Sequence, residues 1–235
     1  MAPITSLVAS PWIDPGDERL RHHITVLADS GIIQSPITSW PLMWGAISSD
    51  LATIDQSTLT EAQAWSLEYV QFHYNQAKQT IKGYAYVGAQ TDVSAITSFA
   101  TDQREKTEVK SELDWVGQRF AWRLRATWAN DASDGKDTRY DGSYVAGTLG
   151  NWNVNVGAID RWWGPGWQSS LILSTNARPV NAVSLQRNFS EASDWPVLSW
   201  FGPWTLTTFI GQLESDRAVP DAKLVGARLT FKPIN

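Results

Sequence analysis

The sequence predicts a mainly β protein, in which an antiparallel up-and-down sheet of about ten strands follows a small N-terminal bundle of helices. Apolar residues recur at helical spacing as far as about residue 80, and from there they alternate with polar residues. The chain also carries 14 tryptophans among its 235 residues, and this side chain suits surfaces where an apolar ring keeps one polar N–H wet. We therefore divide the chain into a helical segment, 1–80, and a β segment, 81–235.

Three helices are expected in the helical segment. Leu20, Ile24 and Leu27 recur at helical spacing. A Pro-Gly turn at 14–17 precedes them and Gly31 follows them, which marks both ends of the first helix. Short amphipathic helices must bury their apolar stripes on something else, so we expect a compact unit that packs on the rest of the chain. The predicted helices cover 17–30, 49–54 and a segment that opens at Thr60-Glu61.

The β segment is predicted to meander through antiparallel strands. Leu149-Gly150-Asn151 is typical of a tight hairpin, and the polar stretch 130–141 of a surface loop. The predicted strands are 81–90, 92–100, 109–129, 138–149, 151–160, 169–174, 182–189, 196–201, 203–214 and 222–232.

One strand bears on what surrounds the sheet. Arg123 and Arg125 fall on one face, and the other face carries Phe120, Trp122, Leu124, Ala126 and Trp128. A soluble β-sandwich gives the same alternation, so the period alone leaves the question open. The length of 118–128 matches the roughly 9–11 residues of a bilayer-crossing strand. In a membrane, an arginine at the midplane of the lipid face would cost about 2–4 kcal/mol, so both arginines would face the lumen.

The composition of the chain excludes several classes of partner and structure. The net charge is −5 without a basic stripe, which argues against a nucleic-acid partner. Charged residues make up 18% of the chain, against roughly 25% in an average soluble domain, as expected if one face does not meet water. The absence of cysteine excludes disulfides and zinc fingers. No apolar run is long enough for a membrane-spanning helix, and the chain starts without a signal peptide, so an exported protein would have lost its signal.

The sequence offers no support for catalysis. His22 and His23 are adjacent and point to different helix faces, so a two-ligand metal site is not expected. Carboxylate pairs such as Asp131 with Asp134 lie in polar, loop-like stretches where nothing raises a pKa. No nucleophile elbow, phosphate loop or HExxH helix is present. We therefore expect a non-enzymatic protein without metal or cofactor.

A long motif links the chain to a known family. Residues 160–179, DRWWGPGWQSSLILSTNARP, resemble the signature of the Wzi capsule-assembly family of Gram-negative outer-membrane proteins. The stretches 11–17, 27–31 and 38–42 are similar to that family's helical start, whereas the position after Trp167, often acidic in the family, is Gln168 here.

The resemblance implies a large up-and-down outer-membrane β-barrel with a helical bundle on its periplasmic side. It also implies a surface lectin that attaches and organises capsular polysaccharide. About ten strands are too few to close such a barrel, and an open sheet would leave unpaired backbone groups at its edges in lipid. Family members also continue beyond the last predicted strand, so we expect a partial sequence.

Two groups of residues are candidates for binding or for lining the lumen. The tryptophan-rich loop after residue 160 could stack sugar rings while its charged residues bond hydroxyls, or it could be a structural aromatic plug. The polar residues that follow could meet acidic sugars, or they could be internal salt-bridge partners. The candidates are Asp160, Arg161, Trp162, Trp163, Trp167, Arg178, Gln186, Arg187 and Asn188.

Three functions remain open at this point. The first is a monomeric outer-membrane protein, embedded in lipid, that retains capsular polysaccharide through many weak contacts along a repeating polymer. The second is a passive porin or transport barrel, for which a polar lumen suffices. The third is a soluble carbohydrate-active β protein.

Overall fold

The computed structural model describes residues 10–93, 96–100, 103–132, 134–170, 172–196, 198–215 and 218–233. Helices occupy the first part of this range, and one antiparallel sheet occupies the rest. The mainly β fold class with a few N-terminal helices is therefore confirmed. None of the helices in the described ranges is long and apolar enough to cross a membrane.

Local sequence chemistry determines where two of the three helices begin. The first, α1, is capped by Asp17, whose carboxylate accepts from the Leu20 N–H at 2.8 Å. The third, α3, begins with a capping box formed by Thr60 and Gln63. The second, α2, starts before the predicted 49–54, because its N-terminal apolar residues are buried in the core and tertiary packing outweighs local propensity. The helices are α1 (Glu18–Asp29), α2 (Trp44–Leu51) and α3 (Glu61–Ala77).

Thirteen strands are assigned within the described ranges, and eight of them form a continuous meander. The meander runs in the order β13-β12-β11-β9-β8-β6-β5-β4, with β7 paired to β6 beside it. Two further pairs, β1 with β3 and β10 with β2, lie outside this sheet. The strands are β1 (Trp12–Ile13), β2 (Ser39–Trp40), β3 (Leu42–Met43), β4 (Ile81–Ala89), β5 (Thr107–Val116), β6 (Phe120–Asn130), β7 (Thr138–Arg139), β8 (Tyr144–Leu149), β9 (Trp152–Ala158), β10 (Trp162–Trp163), β11 (Asn181–Arg187), β12 (Trp204–Gln212) and β13 (Lys223–Phe231).

The predicted long strand 109–129 is wrong, because it is the hairpin of β5 and β6. The turn lies at 117–119, and Trp115 is the cross-strand partner of Trp122. Partners in a ladder point to the same face, so the outward positions are odd-numbered in β5 and even-numbered in β6. This change of phase marks the turn, and the prediction of one continuous strand overlooked it. The predicted hairpin at 149–151 is correct, since Leu149 is the ladder partner of Trp152.

Four further strand or loop predictions need correction. The described parts of 92–100 and 169–174 contain no strand, and residues 94, 95 and 171 lie outside the described residues. Phe99 in the first of these segments is fully buried. An apolar side chain can thus pack into the core from a loop, without the backbone pairing of a strand. Residues 198–201 form a short 3-10 helix where a strand was predicted over 196–201. The predicted loop 130–141 contains the short strand β7, and the rest of the predicted strand 138–149 is observed as β8.

The sheet has its apolar face outward. On β6, Phe120, Leu124 and Trp128 are 63%, 53% and 49% exposed, whereas Arg123 on the opposite face is 9% exposed. Strand β9, two places along the sheet, repeats this arrangement, with its valines outward and its asparagines buried. A soluble sandwich would bury the apolar face and expose the charges. This inverted arrangement is the one that lipid requires.

The helical segment and the connection 159–180 cover the inner face. β10 pairs with β2, so that Trp162 lies opposite Trp40, and both side chains belong to the core built by the three helices. The helical segment also meets the end of the sheet that has the shortest turns. There the Ser35 and Ser190 hydroxyls lie 2.6 Å apart, and Lys232 Nζ donates to the carbonyl of Ile33 at 3.2 Å.

Candidate functional site

Charges on the inner face of the sheet neutralise one another across adjacent strands. Arg123 on β6 lies directly opposite Asp114 on β5, and its Nε and Nη2 donate to the two carboxylate oxygens at 2.7 and 3.1 Å. Arg125 faces Glu112 in the same way, at 2.5 Å. Lys82 on β4 approaches Asp114 to 3.5 Å. Both arginines predicted for the lumen thus point to the inner face, where carboxylates surround them.

The same cluster fastens the helical segment to the sheet. Asp14, just before α1, forms an ion pair with Arg123. Burial by itself would raise the pKa of the Asp14 carboxyl, but the positive charges of Arg123 and Arg125 outweigh burial and lower it. Asp14 therefore stays ionised, and it holds the segment that precedes α1 against the middle of β6.

A second ionic network joins the long connections at the other end of the sheet. Arg178 donates to both oxygens of Asp141 at 2.7 and 2.9 Å and to Asp134 at 2.9 Å. The hydrogen bonds with Asp141 raise the pKa of Arg178 above its usual range. Arg104 donates to Asp160 at 2.6 Å. The predicted binding residues Arg178 and Asp160 are therefore both ion-pair partners of other side chains in the chain. Burial would raise the pKa of Asp134, but the hydrogen bonds from Arg139, Lys136 and Arg178 together outweigh burial and lower it to about 2.

The tryptophan loop is packed inside the molecule. Trp162 is fully buried and Trp163 is 3% exposed. Phe99 contacts the rings of Trp40 and Trp162 edge-on, at centroid distances of 4.9 and 5.7 Å, and the Trp162 indole donates to the carbonyl of Gly166 at 2.9 Å. The rings of Trp162 and Trp163 are therefore not accessible to a sugar, whereas Trp167 is half-buried. Phe99 joins the rings of Trp40, Trp162 and Trp167, and Trp163 packs separately on Phe209 at a centroid distance of 5.7 Å. We call these aromatic residues the aromatic plug: Trp40, Phe99, Trp162, Trp163 and Trp167.

Two buried arginines hold the plug in place. Arg161 donates to the Ser184 hydroxyl at 2.6 Å and lies 4.4 Å from the centre of the Phe209 ring. Burial lowers the pKa of Arg161 to about 10, partly offset by the charge of Asp160. Arg21 of α1 lies 4.2 Å from the ring of Phe99, and burial lowers the pKa of Arg21 to about 10 as well.

Replacing Arg21 with methionine is expected to loosen the aromatic plug. The Arg21 guanidinium donates to the carbonyls of Pro165 and Gly166 at 2.7 and 3.0 Å. Hydrogen bonds to charged groups contribute about 1.5–3 kcal/mol each. Hydrogen–deuterium exchange of the amides in 162–170 should therefore accelerate by about ten- to hundredfold. The matched control is Arg19→Met on the exposed side of the same helix, which should leave these rates unchanged. Unchanged exchange in Arg21→Met would contradict the anchoring role.

The remaining candidates lie at the end of β11. Gln186 is 1% exposed, and neither side-chain polar atom has a hydrogen-bond partner among the described residues. Arg187 donates to the carbonyls of Trp204 and Glu191 at 2.8 and 3.0 Å and stacks on the Trp204 ring at 3.9 Å. These contacts make Arg187 a support for the connection between β11 and β12.

Asn188 borders a cavity of about 290 Å³ at the short-turn end of the sheet. The turns at 117–119 and 149–151 form one side of this cavity, and the first residues of α2 form the other. Residues that sequence reasoning missed here include Trp44, Gln118, Arg119 and Asn153. They come from separate parts of the chain, and no local motif brings them together. We call this space the turn cavity.

The histidines give no sign of a metal site. His23 Nδ1 lies 3.0 Å from the Ser66 hydroxyl, and burial lowers the pKa of His23. In the ranges that the structure describes, no group of three or more His, Cys, Asp or Glu residues could hold a metal ion.

A sheet with apolar residues outside and paired charges inside, and with strands of up to 11 residues, defines the chain as a protein of the outer-membrane β-barrel class. The model of the capsule assembly protein Wzi family matches residues 75–235, and the chain belongs to this family. The family places it in the outer membrane, so the soluble alternative is wrong.

Two relatives extend the comparison. An uncharacterised 55.8 kDa protein in the cps region of Klebsiella pneumoniae is 27% identical over 222 residues, which cover 92% of this chain and 43% of the relative. The solved structure of Escherichia coli Wzi, an outer membrane protein involved in group 1 capsule assembly and a carbohydrate-binding β-barrel, superposes with a TM-score of 0.85 at 25% identity. That match covers 95% of this chain and 50% of the solved one. The chain thus spans about half the length of the relatives it matches.

Proposed function

We propose that the protein binds capsular polysaccharide at the cell surface and thereby attaches and organises the capsule, without catalysing a reaction. The observation that carries this proposal is the likeness of 95% of the chain to a carbohydrate-binding barrel involved in capsule assembly. A repeating polymer can be held by many weak contacts, because the second and later contacts are intramolecular. Retention of the polymer therefore does not need a deep, tight site.

The covered inner face supports binding over passive conduction. In the described part of the chain, the helical segment and the connection 159–180 pack against the inner side of the sheet. A porin needs a polar lumen that water can fill. On the inner side of the described strands lie the aromatic plug and the ion pairs of Arg123 instead. We propose that both are structural supports that shape the barrel, and that the sugar-binding surface lies elsewhere on the chain.

Deleting the gene in a capsulated host is expected to release polymer into the medium without lowering its synthesis. The measurement is the ratio of cell-bound to released polysaccharide, with total polysaccharide as the control for synthesis. Purified protein in detergent should also capture the labelled polymer, whereas denatured protein should not. Equal retention by deletion and parent strains, together with no capture in vitro, would overturn the proposal. Ion conductance in planar bilayers would point to a transport barrel.

A further inference from the structure

A row of aromatic side chains crosses the outer face of the sheet near its short-turn end. Trp115 on β5 is the ladder partner of Trp122 on β6, and Trp204 on β12 is the partner of Phe231 on β13. Trp152 is the first residue of β9. Each of the five shares a face with the exposed apolar residues of its own strand and lies at or near the strand end beside the short turns. We call these five residues the aromatic row.

The connection between β11 and β12, residues 188–203, carries further aromatic side chains at this end of the sheet. Trp195, Trp200 and Phe201 are 72%, 77% and 46% exposed, and the two indoles are the most exposed of the tryptophans that the structure describes. A single exposed apolar residue is common, but several beside an exposed apolar face mark an interaction surface. Tryptophan is enriched where an apolar phase meets water, because its ring is apolar and its N–H is polar.

This connection is folded against the aromatic row. The Phe201 ring meets the Phe231 ring edge-on, at a centroid distance of 5.5 Å. Within the connection, the Ser199 N–H donates to the carbonyl of Trp195 at 2.8 Å, and a 3-10 helix follows over Leu198–Phe201. Trp195 and Trp200 thus belong to a folded stretch that continues the aromatic row beyond the strands.

The place of the row in the membrane indicates which medium meets these rings. The family is found in the outer membrane, and the short turns of barrels in this class lie on the periplasmic side. Aromatic residues surround such barrels at both interfaces, at the level of the lipid headgroups. The aromatic row is therefore expected at the periplasmic interface, and the connection that continues it is expected beside the same headgroups.

The charge of the connection restricts the lipid. Residues 188–203 include Glu191 and Asp194 but neither lysine nor arginine. Recognition of anionic lipids depends on clusters of basic residues. A segment with two carboxylates and no basic residue gains nothing from an anionic surface, whereas its aromatic rings can enter a zwitterionic one. The chemistry of this segment thus favours zwitterionic phospholipid.

We propose that the connection between β11 and β12 is an interfacial anchor, in which Trp195, Trp200 and Phe201 insert between zwitterionic phospholipid headgroups of the periplasmic leaflet. The anchor fixes the depth of the sheet at the end where the helical segment is attached, since Ser190 in the same connection contacts Ser35. This role concerns the membrane and does not depend on the proposed binding of polysaccharide.

A spin label measures the depth of the connection. The chain contains no cysteine, so Asp194→Cys places a nitroxide at one position, directly before Trp195. The purified full chain is reconstituted in phosphatidylcholine vesicles. The collision rate of the label with oxygen, which concentrates in lipid, is then compared with its collision rate with a water-soluble nickel chelate. Leu124→Cys on the outer face and Arg19→Cys on α1 provide the lipid and water references. We expect the oxygen-to-nickel ratio at position 194 to lie between the two references.

Replacing both indoles tests whether they hold the connection at this depth. In the double variant Trp195→Ser with Trp200→Ser, the ratio at position 194 should fall to that of the water reference. Trp65→Ser, which replaces a similarly exposed tryptophan on α3, is the matched control and should leave the ratio unchanged. Adding phosphatidylglycerol to the vesicles should not move the label deeper.

Three results would overturn the anchor. The first is a parent ratio equal to that of the water reference, which would place the connection in water. The second is a low collision rate with both reagents, which would mean that protein covers the label. The third is a double variant that keeps the parent ratio. A label that moves deeper with phosphatidylglycerol would contradict the zwitterionic preference. Circular dichroism confirms that each variant is folded.

Discussion

Replacing Arg123 with leucine is expected to lower the free energy of unfolding by about 3–5 kcal/mol, the usual cost of removing one partner of a buried ion pair. The side chains of Arg123 and Asp114 are 8% and 2% exposed and share two hydrogen bonds. Arg123 also pairs with Asp14 and Glu112. Without it, the Asp114 and Glu112 carboxylates, which are 2% and 10% exposed, lose a positive partner, and the ion pair through which Asp14 joins the helical segment to β6 is lost.

Urea-induced unfolding of the protein in lipid vesicles, followed by tryptophan fluorescence, measures this loss. The double variant Asp114→Asn with Arg123→Leu should recover part of the lost stability, because the buried carboxylate of Asp114 is then absent. Arg19→Leu, at an exposed position of α1, should change stability by no more than about 0.5 kcal/mol. A loss in Arg123→Leu no larger than in Arg19→Leu would show that the inner-face pair is not a structural support.

Placing arginine at Leu124 is expected to cost about 2–4 kcal/mol in a bilayer. Leu124 lies near the middle of β6 on the outer face and is 53% exposed. If water surrounded this face, an exposed leucine could be replaced with a change of only about 0.5 kcal/mol. In lipid the guanidinium loses its hydration without gaining a partner, so the cost reports directly on what surrounds the sheet.

The depth dependence provides the control for this substitution. Thr107 lies on the same face at the end of β5 and is exposed, so Thr107→Arg should cost only about 0–1 kcal/mol near the interface. The measurement is again urea-induced unfolding in vesicles. Lipids with shorter and longer acyl chains change the bilayer thickness and therefore the depth of each substituted residue. Equal small effects at both positions would mean that the outer face of β6 does not contact lipid.

The fold was predictable from sequence to the extent that periodicity is local. Alternation assigned Arg123 and Leu124 to opposite faces, and the length of the strand suggested a bilayer. The turn at 117–119 was missed, although the outward positions change from odd-numbered in β5 to even-numbered in β6, as the ladder partners Trp115 and Trp122 show. The burial of Phe99 within a loop was also missed, since its packing partners Trp40 and Trp162 lie far away in the chain.

The candidate site was only partly predictable for the same reason. The motif around Trp162 and Arg161 was recognisable because its residues are contiguous. Its surroundings depend on the pairing of Trp162 with Trp40, which are 122 positions apart. The turn cavity is an extreme case, since α2, two hairpin turns and the end of β11 all contribute to it. Of its lining, only Asn188 was among the predicted residues.

The amino-acid sequence by itself determined the two faces of the sheet, both ends of α1, the start of α3, and the family to which the chain belongs. These depend on spacing and on hydrogen bonds between residues a few positions apart. Only the tertiary structure decided that Trp162 and Trp163 are buried, that Arg123 and Arg125 are paired with carboxylates, and that α2 and two hairpin turns border one cavity. The physical reason is that burial and pairing arise from contacts between distant segments, which no local pattern encodes.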